Sequence, residues 1–143
     1  MARDRSLLSD NWKTPEWMYK ELDQEFNFDD FDPCPYMNDT SKWDGLDVEW
    51  ADTTFCNPPY NRVDKPKFIK KAYAEWKKGK TVVLLIPAAV STNDFHDYIY
   101  PNAEIRFPRG RIAFEGYNSK GKYVKNKKGM HDSMIVIFRA KCK

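Results

Sequence analysis

At 143 residues, with 41% hydrophobic and 15% aromatic side chains, the chain has the size and composition of one globular domain. It has no apolar run near the roughly 18 residues that a membrane span needs. Its 24 basic and 21 acidic side chains leave a formal net charge of +3, which admits a polyanionic partner without requiring one. Cys34, Cys56 and Cys142 lack the short paired spacing of a zinc site or a disulfide framework, so free thiols and no metal are expected. The charged start, Met1 to Arg5, leads into no apolar segment, which points away from secretion and towards the cytoplasm. A single domain over 1–143 is expected, with residues 1–10 flexible. Acids crowd positions 29 to 52, while residues 116–131 hold five lysines and no acid.

In chain order, Thr14-Pro15 reads as an N-cap followed by proline at the first helical position. Met18, Leu22 and Phe26 form one apolar stripe of the helix that follows. Phe28 to Phe31 reads as a short strand that ends at Asp32-Pro33-Cys34-Pro35, where two prolines force a turn. Asp44-Gly45 is the clearest turn signal in the irregular stretch 36–52. Thr53 to Cys56 is a strand running into Asn57-Pro58-Pro59-Tyr60. Pro66 opens a second helix with Ile69, Ala72, Tyr73 and Trp76 on its core face, closed by Gly79. Thr81 to Ile86 has the continuous apolar character of a strand covered on both faces of a parallel sheet. A third helix is expected from Thr92 or Asn93 to Tyr100, then strands at 103–107, 111–115 and 133–139. Residues 116–131 become a long basic loop. The order is that of an α/β domain.

The strongest chemical signal is Asn57-Pro58-Pro59-Tyr60 at the end of a strand, because ligands of open α/β sheets bind beyond the carboxyl ends of strands. The Asn57 side-chain oxygen and the Pro58 carbonyl can both accept hydrogen bonds, and the prolines hold the backbone that aims them. This loop resembles motif IV of the amino-methyltransferases. The chain as a whole resembles the small phage DNA N-6-adenine methyltransferases over roughly residues 10 to 139. Thr14-Pro15 is similar to that family's cofactor-contacting entry segment, Phe31-Asp32-Pro33-Cys34 to its motif I, and Asp44-Gly45-Leu46 to the acidic step between the two motifs. Leu85-Ile86-Pro87-Ala88, Phe95-His96-Asp97-Tyr98 and the segment from Phe107 to Phe114 resemble its later blocks. The chain departs from the pattern at motif I, where Cys34-Pro35-Tyr36 replaces the usual glycines.

The resemblance implies a trimmed Rossmann-like, S-adenosylmethionine-dependent methyltransferase fold, with a mostly parallel sheet and a late antiparallel strand. Only 24 residues, 33 to 56, separate Asp32 from Asn57, too few for the full set of intervening elements. It also implies catalysis by Asn57, Pro58, Pro59 and Tyr60, with Tyr60 stacking on an adenine taken out of the duplex. Thr14, Pro15, Asp32, Pro33, Cys34, Asp44 and Asn57 would contact the cofactor, Asp32 accepting from its ammonium group. DNA is the implied partner, and the bacterial host cytoplasm the setting if the gene is a phage's. Arg109, Arg111, Tyr117, Lys120, Lys122, Tyr123, Lys125, Lys127 and Lys128 are the candidate DNA contacts, against a solvated hairpin or fold-supporting arginines. His96 and His131 stand without ligand or acid/base company and receive no role. Methylation of the cytosine N4 amino group, a DNA-binding protein without catalysis, and an RNA substrate remain as alternatives.

Overall fold

The computed structural model describes residues 12–36, 38–118, 120–128 and 131–141, with the side chains of 126–128 excepted; the segment 1–10 and Cys142 lie outside them. The elements are β1 (Trp12–Lys13), α1 (Glu16–Phe26), a 3₁₀ turn (Gly45–Asp47), β2 (Thr53–Cys56), α2 (Asp64–Lys77), β3 (Thr81–Pro87), a π-helical turn (Phe95–Ile99), β4 (Glu104–Arg106), β5 (Ala113–Tyr117), β6 (Tyr123–Lys128) and β7 (Ser133–Phe138). They form a four-stranded sheet, ordered β2-β3-β7-β4, and a three-stranded sheet, ordered β1-β5-β6.

β3 is the center of the larger sheet, and its sequence explains why. Val82, Leu84 and Ile86 alternate with Val83 and Leu85, so a continuous apolar run supplies two buried faces. The first set packs with Phe68, Ile69, Ala72 and Trp76 of α2 and with Phe95 and Ile99 of the π turn. The second packs with Met18 and Leu22 of α1 and with Ile112 and Phe114 beside the small sheet. β7 repeats the pattern, with Met134, Val136 and Phe138 on one face and Ile135 and Ile137 on the other.

The mixed α/β class is as expected, but the sheet is not mostly parallel pair by pair. Only β2 and β3 adjoin in parallel, as the α2 crossover requires. β7, last in the chain, lies antiparallel between β3 and β4, and the small sheet is antiparallel throughout. The expected strand at Phe28 to Phe31 is also absent. Asp29 N–H donates to Thr53 O (2.9 Å), but the Asp29 carboxylate, not a backbone carbonyl, accepts from Thr53 N–H (2.9 Å). A side chain thus occupies the position that would continue a ladder.

Two more expectations are corrected, and a third changes only in helix type. Thr14 does not cap α1, because its hydroxyl is engaged by Asn57 and the helix starts without a side-chain cap. The third helix stands close to its expected span, with Asn93 and Asp94 α-helical and Phe95–Ile99 widened to a π turn: Tyr100 N–H reaches back to Phe95 O, while Thr92 Oγ1 accepts from Phe95 N–H. The described part of the basic stretch 116–131 is strand and turn, not one long loop. β6 pairs with β5 across a turn in which Asn118 Oδ1 accepts from Lys120 and Lys122 N–H and Gly121 takes φ +77°.

The lower end of the βαβ unit is tied by Glu75, whose carboxylate is fully buried. Its Oε1 accepts from Trp50 N–H (2.5 Å) and Lys80 Nζ (2.9 Å), and its Oε2 lies 2.8 Å from Lys78 Nζ. Burial opposes ionization, yet the bonds from Lys78, Lys80 and Trp50 prevail and bring the pKa from 4.5 to about 2. This stabilization is complete above the unfolded value and is lost as pH falls towards about 2. Glu75→Ala is expected to cost about 3 kcal/mol, since it strands buried donors. Urea unfolding followed by tryptophan fluorescence measures it, and an unchanged midpoint would remove the network from the account of stability.

Candidate active site

β2 stops at Cys56 because Pro58 and Pro59 carry no N–H with which to extend a ladder. Both prolines are buried, so the loop is held from below, and Asn57 stands at the carboxyl end of the strand beside the entry to α1. Its Nδ2 donates to Trp12 O (2.8 Å) and to Thr14 Oγ1 (3.0 Å). Both amide hydrogens are therefore used. The Asn57 Oδ1 is buried and meets no donor among the described residues.

Asn57 lines an open cleft of about 700 Å³, within the range of small-molecule sites. One wall comes from the entry segment and α1, with Trp12, Thr14, Pro15, Trp17 and Tyr19. Asp32, Cys34 and Tyr36 form a second, Phe55 and Asn57 the floor at the end of β2, and Phe114, Glu115 and Lys125 of the β5–β6 hairpin a third. Asp32 Oδ1 accepts from Cys34 N–H (2.9 Å). Although the side chain is solvent-accessible, surrounding protein desolvates the carboxylate and raises its pKa, against the lowering effect of the Cys34 N–H. The Tyr36 hydroxyl is also buried without a partner among the described residues, and burial, then Tyr117 and Glu115, push its pKa up. Burial likewise holds the Cys56 thiol far above its ordinary value, which leaves it a neutral core group.

Of the residues singled out from the sequence, the cleft gathers Thr14, Pro15, Asp32, Cys34, Asn57 and Lys125. Asp44 stands apart, in a small recess with Pro33, Cys34 and Pro59, where its carboxylate accepts from Leu46 N–H and caps the 3₁₀ turn. Tyr60 lies outside the cleft lining. Its hydroxyl donates to Leu85 O (3.1 Å), burial raising its pKa, and its ring stands edge-on to Phe114, which does line the cleft. Tyr117 and Tyr123 meet edge to face on the hairpin, and Glu115 hydrogen-bonds Tyr123, whose pKa rises to about 12 through desolvation and that bond. Lys120, Lys122, Arg109 and Arg111 are exposed, Arg111 lying 3.5 Å from Asp132; the side chains of Lys127 and Lys128 are outside the described set.

Sequence reasoning missed Trp17, Tyr19, Tyr36, Phe55, Phe114 and Glu115. For Trp17 and Tyr19 a signal existed: both are aromatics on α1 that fall off the Met18/Leu22 stripe, so the core does not explain them. Among the described residues no group of three or more His, Cys, Asp or Glu is placed to hold a metal. No helix among them is long and apolar enough to cross a membrane.

A family model described as DNA N-6-adenine-methyltransferase (Dam) matches residues 3–142. The chain belongs to this family. Methylation of adenine N6 in DNA is the activity that membership carries. No curated protein and no solved structure matched the chain.

The Dam-family cleft depends on a close approach between two loops. A Cβ at Gly45 would lie 1.7 Å from Pro33 O, and Trp50 Nε1 donates to Gly45 O (2.8 Å) from the other side. Gly45 is therefore a spacing requirement, and through Pro33 it sets the position of Asp32 and Cys34. Gly45→Ala is expected to destabilize by about 1–3 kcal/mol through overpacking. Thermal unfolding of the two proteins checks this, and equal stability would mean that the loop yields freely.

Proposed function

We propose that the chain transfers a methyl group from S-adenosylmethionine to the N6 amino group of adenine in DNA, with Asn57 in the cleft as the acceptor that orients that group. The observation that carries this reading is the Asn57 side chain, with both hydrogens bonded and its buried oxygen left without a donor among the described residues, in a chain of this family. The four-stranded sheet fits a trimmed Rossmann-like methyltransferase sheet: β2, β3 and β4 share one direction and β7 alone is reversed.

The cleft suits the cofactor chemically. Asp32 offers a carboxylate for an ammonium group, and Trp17, Tyr19 and Phe55 offer faces for a flat base or a nearby cation. S-adenosylmethionine, when bound, supplies a methyl group on a sulfonium whose departure needs no further activation. The protein's task is then positional. An amino group conjugated to an aromatic ring is a poor nucleophile, because its lone pair is delocalized. The Asn57 Oδ1 and the Pro58 carbonyl accept hydrogen bonds from its two N–H groups and turn the nitrogen towards the methyl group; as the N–C bond forms and the S–C bond breaks, one of the two protons leaves to solvent. Tyr60, with its hydroxyl tethered to Leu85, offers the ring against which the extruded base stacks. Lys125 at the cleft wall, with Lys120 and Lys122 at the hairpin turn, meets the phosphates.

The direct test is incubation with labeled S-adenosylmethionine and unmethylated DNA, followed by nucleoside digestion and mass spectrometry. N6-methyladenine is expected; N4-methylcytosine would keep the mechanism and change the base, and no product from folded protein with bound cofactor would point to a DNA-binding role or to RNA. Asn57→Ala should slow transfer about a hundredfold or more, while cofactor affinity measured by calorimetry holds. Full activity in that variant would remove Asn57 from the site.

Two further outcomes follow from charge. The desolvated Asp32 carboxylate gains its partner when an ammonium binds, so cofactor affinity should fall as pH drops through the raised Asp32 pKa. Calorimetry over roughly pH 4 to 7 should see that dependence flatten in Asp32→Asn. Replacing Lys120, Lys122 and Lys125 by glutamine should weaken DNA binding and reduce its salt slope by about 0.9 for each phosphate that is no longer neutralized. An unchanged slope in filter binding would leave the hairpin as solvated surface.

A further inference from the structure

The Asn57 amide makes its two hydrogen bonds to two different kinds of acceptor. The Trp12 carbonyl can only accept, whereas the Thr14 hydroxyl can accept or donate. A primary amide is nearly symmetric in shape, so exchanging its oxygen and nitrogen costs little sterically. Here the exchange would set Oδ1 against the Trp12 carbonyl, two acceptors with no proton between them. Trp12 is itself fixed, because β1 pairs with β5 in the register Trp12 to Gly116 and Lys13 to Glu115. The carbonyl therefore decides the direction of the amide. Thr14, half-buried beside it, takes the second hydrogen, which otherwise has no acceptor and leaves the side chain free to swing about its terminal torsion.

We infer that Thr14 is a positioning residue for methyl transfer: with the Trp12 carbonyl it clamps the Asn57 amide so that Oδ1 alone faces the substrate's amino group. This rests on the reading of Asn57 given above and deepens it. It also changes the role of the entry segment from cofactor contact to alignment of the acceptor. Through β1 and β5, the same clamp connects Asn57 to the hairpin that carries Glu115 and Lys125.

The test compares Thr14→Val, which keeps the shape and loses the acceptor, with Thr14→Ser, which keeps the acceptor, in the full chain under single-turnover conditions. Thr14→Val is expected to slow methyl transfer about tenfold to a hundredfold. The DNA KM and the S-adenosylmethionine Kd should stay within about twofold of the unaltered chain, and Thr14→Ser should recover at least about half of the rate. An unchanged rate in Thr14→Val overturns the clamp. So does a loss expressed in the cofactor Kd, or one that Thr14→Ser fails to recover. Should Thr14→Val not fold, Thr14→Ala serves in the same comparison. A readout independent of catalysis is hydrogen exchange at the Asn57 side-chain amide by NMR. Exchange should be slow in the unaltered chain and in Thr14→Ser, and faster at one of the two hydrogens in Thr14→Val; equal exchange in all three overturns the clamp. If the unaltered chain methylates nothing, the functional reading fails by itself, and the amide exchange still decides the geometry.

Discussion

A carboxylate with no exposed surface organizes the larger sheet. Glu75 sits at the end of α2 and joins the segment before β2, through Trp50 N–H, to the residue before β3, through Lys80. Lys80 in turn donates to Trp50 O, so the two strand entries are held by one side-chain pair. A buried charge tolerates little displacement, because losing any donor leaves it unpaired in a poor solvent. The parallel register of Thr53 to Thr81 and Cys56 to Leu84 runs from this point. Four residues later the same strand delivers Asn57 to the cleft. The knot and the site are the two ends of one short, stiff strand.

The opposite end is less regular, and the candidate site lies there. The cleft lies where the four-stranded sheet, the β5–β6 hairpin and the start of α1 meet. The end of β2 brings the Asn57 amide, the turn after α1 the Asp32 carboxylate, α1 the Trp17 and Tyr19 rings, and the hairpin the Lys125 cation. With only 24 residues between Asp32 and Asn57, the chain has no room for further parallel strands there. The single bridge between Asp29 and Thr53 stands where another strand would pair. The small antiparallel sheet closes the remaining side, and β1 ties the entry segment into it.

Elements whose formation depends on local pattern were legible in the sequence. β2, α2, β3 and β7 follow from apolar runs, helical spacing and the Gly79 stop. What was not legible depended on partners distant in the chain. Thr14 looks like a helix cap until Asn57, 43 positions on, is placed against it. Phe28 to Phe31 has the composition of a strand, and only the Asp29 side chain removes it from the ladder. The lysines after Gly116 suggest a solvated loop, whereas Tyr123 and Val124 pair with Tyr117 and Gly116 because β5 is already fixed by β1. The reversed direction of β7 was expected as a late antiparallel strand through the family resemblance, not from any local signal. Of the residues lining the cleft, Thr14, Pro15, Asp32, Cys34 and Asn57 stand in short motifs, whereas Glu115 is contributed singly by a neighboring element and carried no such signal.

The clamp on Asn57 gives a reason for an amide at this position. A carboxylate there would place an oxygen against the Trp12 carbonyl and lose that bond, and the Thr14 hydroxyl would have to turn and donate instead of accept. An amide divides its functions: two hydrogens secure it to the protein and one oxygen is left for the substrate. The carboxylate of the cleft is Asp32, on another wall, where burial raises its pKa against the lowering effect of the Cys34 N–H. Neutral acceptor and anion are thus kept on separate elements, one fixed by β1 and β2 and the other by the Pro33–Gly45 contact. Each can therefore be adjusted without disturbing the other.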